Sequence, residues 1–153
     1  MKNIKPIKNF IVENNCGDKV RLSDFHKSKK LLLVFFRGVW CQYCKKQLLD
    51  IQRHFAKIRK AGFAVLAVSN DNKLKSSLLK NFLQLDFPVI SDEKMALINY
   101  FRLKTKYRGK VTAKPALFFF DNRQKLFDSY IGKKYDDRLS AKSILKRIKE
   151  LKN

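Results

Sequence analysis

Cys41-Gln42-Tyr43-Cys44 places two thiols at the spacing at which one turn of helix brings the sulfurs together, close enough to form and break a disulfide reversibly. A sulfur in the first turn of a helix faces unpaired backbone N–H groups and the positive end of the helix dipole, both of which favour thiolate over thiol. Arg37 before the pair, and Lys45 and Lys46 after it, add to that field if their side chains turn toward the sulfurs. The chemistry this suits is thiol–disulfide exchange. Cys41, nearer the solvent end of the helix start, attacks as a thiolate or is attacked, and Cys44 resolves the mixed disulfide. Two other readings of the pair stay open: half of a zinc site, and two core cysteines without chemistry. Zinc needs four ligands, and the remaining candidates, Cys16, His26 and His54, are not paired at ligand spacing. Cys16 reads as an inert thiol or a third redox partner. His26 and His54 read as a loop residue and an exposed helix residue rather than catalytic bases.

The elements that must position the pair follow from hydrophobic periodicity. Leu31 to Phe36 is a continuous apolar run, as expected of a strand buried on both faces of a sheet. After Arg37-Gly38-Val39-Trp40 the period changes, and Cys44, Leu48, Ile51, Phe55 and Ile58 lie on one helical face that ends at Ala61-Gly62. Phe63 to Val68 is a second buried strand, followed by a helix marked by Leu74, Leu78, Phe82 and Leu85. This order implies a parallel pair joined by a right-handed crossover. Upstream, Phe10–Val12 and Lys19–Leu22 bracket Asn14-Asn15-Cys16-Gly17-Asp18 as a small hairpin. Downstream, Pro88 interrupts a segment, and Ser91-Asp92 offers an N-cap to a helix carrying Met95, Leu97, Ile98 and Phe101. Lys104 to Lys114 reads as a basic loop. Ala116–Phe120 and Lys125–Tyr130 form an antiparallel hairpin about Asp121–Gln124, and an amphipathic helix runs from Leu139 to Leu151. The sum is an α/β fold.

No linker, repeat or low-complexity tract divides the 153 residues, so residues 1–153 are expected to form one domain. Three cysteines are too few for a disulfide framework, no secretion signal opens the chain, and no apolar run reaches membrane-helix length. A cytoplasmic protein without membrane partners is expected, and in a reducing compartment a close cysteine pair is more often catalytic or metal-binding than structural. The formal charge of +22, from 35 Lys and Arg against 13 Asp and Glu, creates a field that attracts nucleic acid, anionic lipid or acidic proteins. The charge is spread over nearly every segment and is mostly Lys, without an aromatic-and-basic nucleic-acid signature. A solvated surface is the simpler reading, and specific nucleic-acid binding is not expected.

The ordered set of strand, Trp-Cys-x-x-Cys, helix, strand, helix and hairpin resembles the thioredoxin superfamily. It looks most like the redoxin branch, the alkyl-hydroperoxide-reductase and thiol-specific-antioxidant (AhpC/TSA) proteins, through Phe36-Arg37-Gly38-Val39-Trp40-Cys41-Gln42-Tyr43-Cys44. Gly17 to Phe25 upstream and Lys114-Pro115-Ala116 to Asp121 downstream support it. The resemblance implies a central mixed β-sheet flanked by helices. It implies Cys41 and Cys44 as the redox residues, with Lys114 and Pro115 beside them and Pro115 in a cis bond whose neighbouring backbone could hold a substrate strand. Trp40 is expected at the rim, Gln42 between the cysteines, and Tyr43 exposed.

Departures from the pattern matter. Aligned on Cys44, the peroxiredoxin P-x-x-x-T-x-x-C motif has Arg37 at its Pro and Cys41 at its Thr, and the second active-site Arg of those proteins falls on Pro115. What remains is closer to a thioredoxin-type dithiol, yet Phe35 replaces the acid that thioredoxins carry and Tyr43 replaces the Pro before the second Cys. The leading expectation is therefore a thiol–disulfide oxidoreductase acting on protein or small-molecule disulfides and drawing on an external thiol reductant, with no cofactor or metal. The alternatives are a peroxiredoxin-like peroxidase reducing hydroperoxides and a non-catalytic basic binding module.

Overall fold

Strand β3, Lys30–Phe35, explains the rest of the architecture. Its side chains alternate between two apolar cores, with Leu32 and Val34 in one and Leu31, Leu33 and Phe35 in the other, so both faces of the sheet are covered. A computed structural model describes residues 10–13, 18–26, 29–134 and 136–150. Strand β4, Phe63–Ser69, pairs parallel to β3, and β5, Val89–Ser91, parallel to β4; β8, Ala116–Phe120, pairs antiparallel to β3, and β9, Leu126–Ile131, antiparallel to β8. The mixed sheet has the order β5-β4-β3-β8-β9.

Helices α2, Gln42–Arg53, and α3, Phe55–Lys60, cross from β3 to β4 and bury Leu48, Ile51, Phe55 and Ile58 against one face. Helices α4, Lys73–Leu83, and α6, Ala141–Glu150, join that layer through Leu79, Leu83, Ile144 and Ile148. The opposite face holds α5, Ala96–Tyr100, and a ring cluster in which Phe118 stands 4.5 Å from Phe101 and 5.7 Å, edge-on, from Phe35. Each such buried ring contributes on the order of 2 kcal/mol of transfer free energy. The first hairpin has its expected arms, β1, Ile11–Glu13, antiparallel to β2, Lys19–Arg21, with a short helix α1, Ser23–His26, behind them; most of its turn, including Cys16, lies outside the described residues.

The structure corrects several expectations. The long helix after Cys41 is broken at His54, whose backbone leaves helical geometry at φ −109°, ψ 9°. The Leu74, Leu78 and Phe82 stripe of α4 faces solvent, with Phe82 79 % exposed, because Ser76, Leu79 and Leu83 form the buried side instead. Pro88 ends no strand but precedes one: its carbonyl accepts the Ala67 N–H at 3.1 Å, and β5 is an edge strand, where the missing proline donor costs nothing. Asp92 caps α5 from a turn further upstream than an N-cap, its carboxylate accepting the Ile98 N–H at 2.8 Å. The stretch read as a loop is a hairpin, β6, Lys104–Tyr107, paired with β7, Lys110–Ala113, through Arg108 and Gly109 at φ 49° and 80°. That left-handed pair is the backbone of a two-residue hairpin turn that matches strand twist.

Candidate active site

Helix α2 begins at the sulfur. Cys41 is its N-cap, in extended backbone geometry, and its Sγ accepts the Cys44 N–H at 3.4 Å, a position usually taken by a serine or aspartate oxygen. Gly38 makes this start possible, because its carbonyl accepts the Cys41 N–H at 3.1 Å while a Cβ at position 38 would fall 2.3 Å from the Trp40 indole nitrogen. Cys44 points inward and is wholly buried, with the Arg37 N–H donating to its Sγ at 3.3 Å.

The cation at the sulfurs comes from the far end of the chain. Arg138 Nη2 lies 3.1 Å from Cys44 Sγ and 3.6 Å from Cys41 Sγ. Its loop is pinned on both sides: Tyr130 Oη donates to Asp137 at 2.5 Å, Gln47 Nε2 of α2 donates to the Leu139 carbonyl at 3.4 Å, and Asp50 of α2 accepts the Ala141 N–H at 2.7 Å. Lys45 and Lys46 do not take this role; Lys46 instead lies over the Tyr43 ring.

These contacts divide the two thiols. The Cys44 side chain donates to Cys41, and with the Cys44 N–H and Arg138 it outweighs burial and lowers Cys41 to about 6. Burial, followed by that same hydrogen bond, pushes Cys44 far up, so it keeps its proton. The pair therefore holds one thiolate and one thiol near neutral pH, with the negative charge on Cys41.

Cys41 is only 4 % exposed, yet it opens onto a cavity of about 400 Å³ that Arg37, Trp40, Gln42 and Tyr43 also line. The remaining wall is the β6–β7 hairpin, through Tyr107, Arg108 and Lys110. Trp40 stacks on Tyr107 with ring centroids 5.7 Å apart, and Thr112 Oγ1 donates to the Arg37 carbonyl, which fastens the hairpin to the turn before the cysteines.

Residues 4–128 match the AhpC/TSA family. The chain belongs to that family. Among AhpC/TSA relatives, the thiol-disulfide oxidoreductase ResA of Bacillus cereus is 28% identical over 140 residues, covering 90% of this chain and 74% of its own. Peroxiredoxin Q of the Triticum aestivum chloroplast is 31% identical over 85 residues, covering 56% of this chain and 39% of its own. The fold is thioredoxin-like: peroxidoxin BcpB of Mycobacterium tuberculosis superposes with a TM-score of 0.83 at 18% identity, covering 97% of each chain.

Against this AhpC/TSA background, Arg37, Trp40, Gln42 and Tyr43 meet at the Cys41 cavity, and Tyr43 is exposed. Lys114 and Pro115 do not line it. The Lys114–Pro115 bond is trans, correcting the cis expectation, and the backbone about it is occupied: Lys114 N–H donates to Leu103 and the Pro115 carbonyl accepts from Gly132. His54 binds the Asp50 carbonyl at 2.9 Å on the flank of α2, away from the sulfurs, while the side chain of His26 lies outside the described residues. Arg138 and the hairpin residues escaped the sequence reading. Arg138 belongs to no motif; the hairpin left a signal in the alternation of Lys104-Thr105-Lys106-Tyr107 before Arg108-Gly109.

Proposed function

We propose that this AhpC/TSA protein is a thiol–disulfide oxidoreductase with Cys41 as nucleophile and Cys44 as resolving thiol. The observation that carries the reading is that the sulfur held as thiolate is the one facing the cavity, while its protonated partner sits behind it under the same Arg138. The names and coverage of the ResA relatives support it.

Cys41 thiolate attacks one sulfur of a substrate disulfide, the substrate S–S bond breaks, and the first thiolate leaves and takes up a proton. Cys44, no longer hydrogen-bonded to a thiolate, gives up its proton with Arg138 at 3.1 Å to hold the resulting charge. It then attacks Cys41 Sγ and expels the second thiolate. Two electrons have passed to the substrate, and Cys41 and Cys44 are joined by a disulfide that an external thiol reductant reopens. A reducing compartment such as the cytoplasm would supply that reductant; among the described residues no helix is long and apolar enough to cross a membrane.

Peroxide is the second substrate reading, supported by the peroxiredoxin Q similarity. There the Cys41 thiolate attacks one peroxide oxygen, the O–O bond breaks and the hydroxide or alkoxide leaves and takes up a proton; Cys44 then captures the sulfenic acid with release of water. Insulin reduction and hydrogen peroxide consumption, measured on the same reduced protein, separate the two. Exchange is supported if insulin is reduced faster than by a free thiol and Cys41 and Cys44 are joined in the product; rapid peroxide consumption without insulin reduction replaces it by the peroxidase reading.

A further inference from the structure

The cavity over Cys41 has a charge composition that the exchange reaction alone does not require. Arg37, Arg108 and Lys110 line it, and among the described residues no carboxylate does. Arg37 is the informative one. It is 7 % exposed, and its Nε and Nη1 are buried without a hydrogen-bond partner. An orphaned guanidinium donor is costly to bury, and two in one side chain are more so.

The rest of Arg37 is held firmly. Its N–H is engaged by Cys44 Sγ, its carbonyl by Thr112, and its guanidinium lies 5.0 Å from the centroid of the Tyr107 ring. Arg108 stands 5.3 Å from that same ring, and Lys110 5.1 Å from the Trp40 ring. Ring contacts offset part of the cost of burying a cation, but they satisfy no N–H. The Arg37 guanidinium shares the field of the sulfurs without hydrogen-bonding to them; the guanidinium bonded to them is Arg138. Positive groups fixed around the nucleophile, one of them short of acceptors, form a receptor for an anion.

We infer that the cavity selects disulfides that carry a carboxylate near the reacting sulfur, with Arg37 receiving the carboxylate and Arg108 and Lys110 steering it in. The inference rests on the exchange reading and names its substrate class. The carboxylate occupies Arg37 while Cys41 attacks the neighbouring sulfur, so the charge that binds the substrate also aligns it. The carboxylate undergoes no chemistry; bonds and electrons move as in the exchange steps above. The +22 net charge attracts any anion to the surface, but only a desolvated, pre-positioned guanidinium distinguishes one anion-bearing disulfide from its neutral counterpart at the sulfur. The cavity beside Glu13, Asp92 and Glu93 shows the contrast, since there Lys73 already pairs with Glu13 at 3.8 Å.

The test uses the reduced full-length protein and three symmetrical disulfides that differ in end-group charge: dithiodipropionate, hydroxyethyl disulfide and cystamine. At fixed moderate salt the anionic disulfide should react about tenfold faster than the neutral one relative to a free thiol, the scale of one charge-assisted hydrogen bond, and the cationic one slowest. Cyclic peptide disulfides flanked by Glu or by Gln form a second series; a preference there too assigns acidic protein segments as substrates, and a preference confined to the first series assigns small molecules. Arg37→Gln should collapse the anionic-to-neutral ratio, Arg108→Gln should lower it less, and Lys57→Gln, an equal loss of charge on α3, should leave it alone. A ratio near unity in both series, or equal losses in all three variants, overturns the inference. Alkylation of Cys41 by iodoacetate against iodoacetamide reads the same preference without turnover. If no disulfide is reduced, the exchange reading fails by itself, and this ratio still decides whether the cavity prefers anions.

Discussion

Two pieces of β-structure meet at the cysteines and are built on opposite principles. Strand β3 is a run of apolar residues buried on both sides, and its place in the sheet is fixed by which core each side chain enters. The β6–β7 hairpin has exposed lysines along it and few buried side chains, and it is held by a two-residue left-handed turn, the Trp40–Tyr107 stack and the Thr112 hydrogen bond to Arg37. The first supplies position and the second supplies one wall of the cavity over Cys41. On the proposed function, stability and specificity therefore reside in different strands, and a substitution should affect one much more than the other.

The largest effect expected lies at the junction. Cys41→Ser should reduce disulfide exchange to the buffer background, whereas Cys44→Ser should still form a mixed disulfide with substrate that can be trapped and weighed by mass spectrometry. Next, Phe118→Ala should destabilise the fold by about 3–5 kcal/mol in chemical denaturation. An exposed hairpin change such as Val111→Ala should cost less than about 1 kcal/mol. If the hairpin substitution proves as damaging as the core one, the division between the two strands is wrong.

The pH dependence sharpens it further. Alkylation of Cys41 should rise as pH increases through about 6 and then level off, because the thiolate is the reactive form and its pKa is depressed. Cys44→Ala should move that midpoint upward most, since the Cys44 hydrogen bond is the largest cause of the depression; Arg138→Gln should move it upward by a smaller step. Both variants should consequently react more slowly than the parent at pH 6. A midpoint unmoved in Arg138→Gln would mean that the cation does not hold the thiolate.

Smaller effects remain on the surface. Gly109→Ala should cost about 1 kcal/mol through the positive φ alone, since no atom beyond the adjoining residues lies within 4 Å of the added methyl. Leu74→Gln, on the solvent stripe of α4, should change stability by no more than about 0.5 kcal/mol, as read by thermal denaturation.

How much of this was legible in the sequence follows the same division. Leu31 to Phe36, Phe63 to Val68 and Ala116 to Phe120 announce themselves because complete burial demands unbroken apolar runs, and the Cys41–Cys44 motif stands where the first run gives way to a helix. Helix α4 shows the limit of that logic. Leu74, Leu78 and Phe82 lie on one face as regularly as Leu79 and Leu83 lie on another, and periodicity alone does not say which face meets the sheet. The Lys104 to Lys114 segment was harder, because a hairpin held by a turn and a few ring contacts needs no apolar run. Arg138 was out of reach: it is placed by Tyr130, Gln47 and Asp50, contacts spanning most of the chain, and nothing in its neighbours marks it.

The position of Arg138 has a consequence for synthesis. Both cysteines, every strand of the sheet and the whole hairpin leave the ribosome before the loop that carries this arginine, and the second of the loop's two anchors forms only once helix α6 can dock on α2. A nascent chain thus holds its thiols without their counter-ion, and Cys41 reaches its full acidity only after residues beyond the last strand of the sheet have been made.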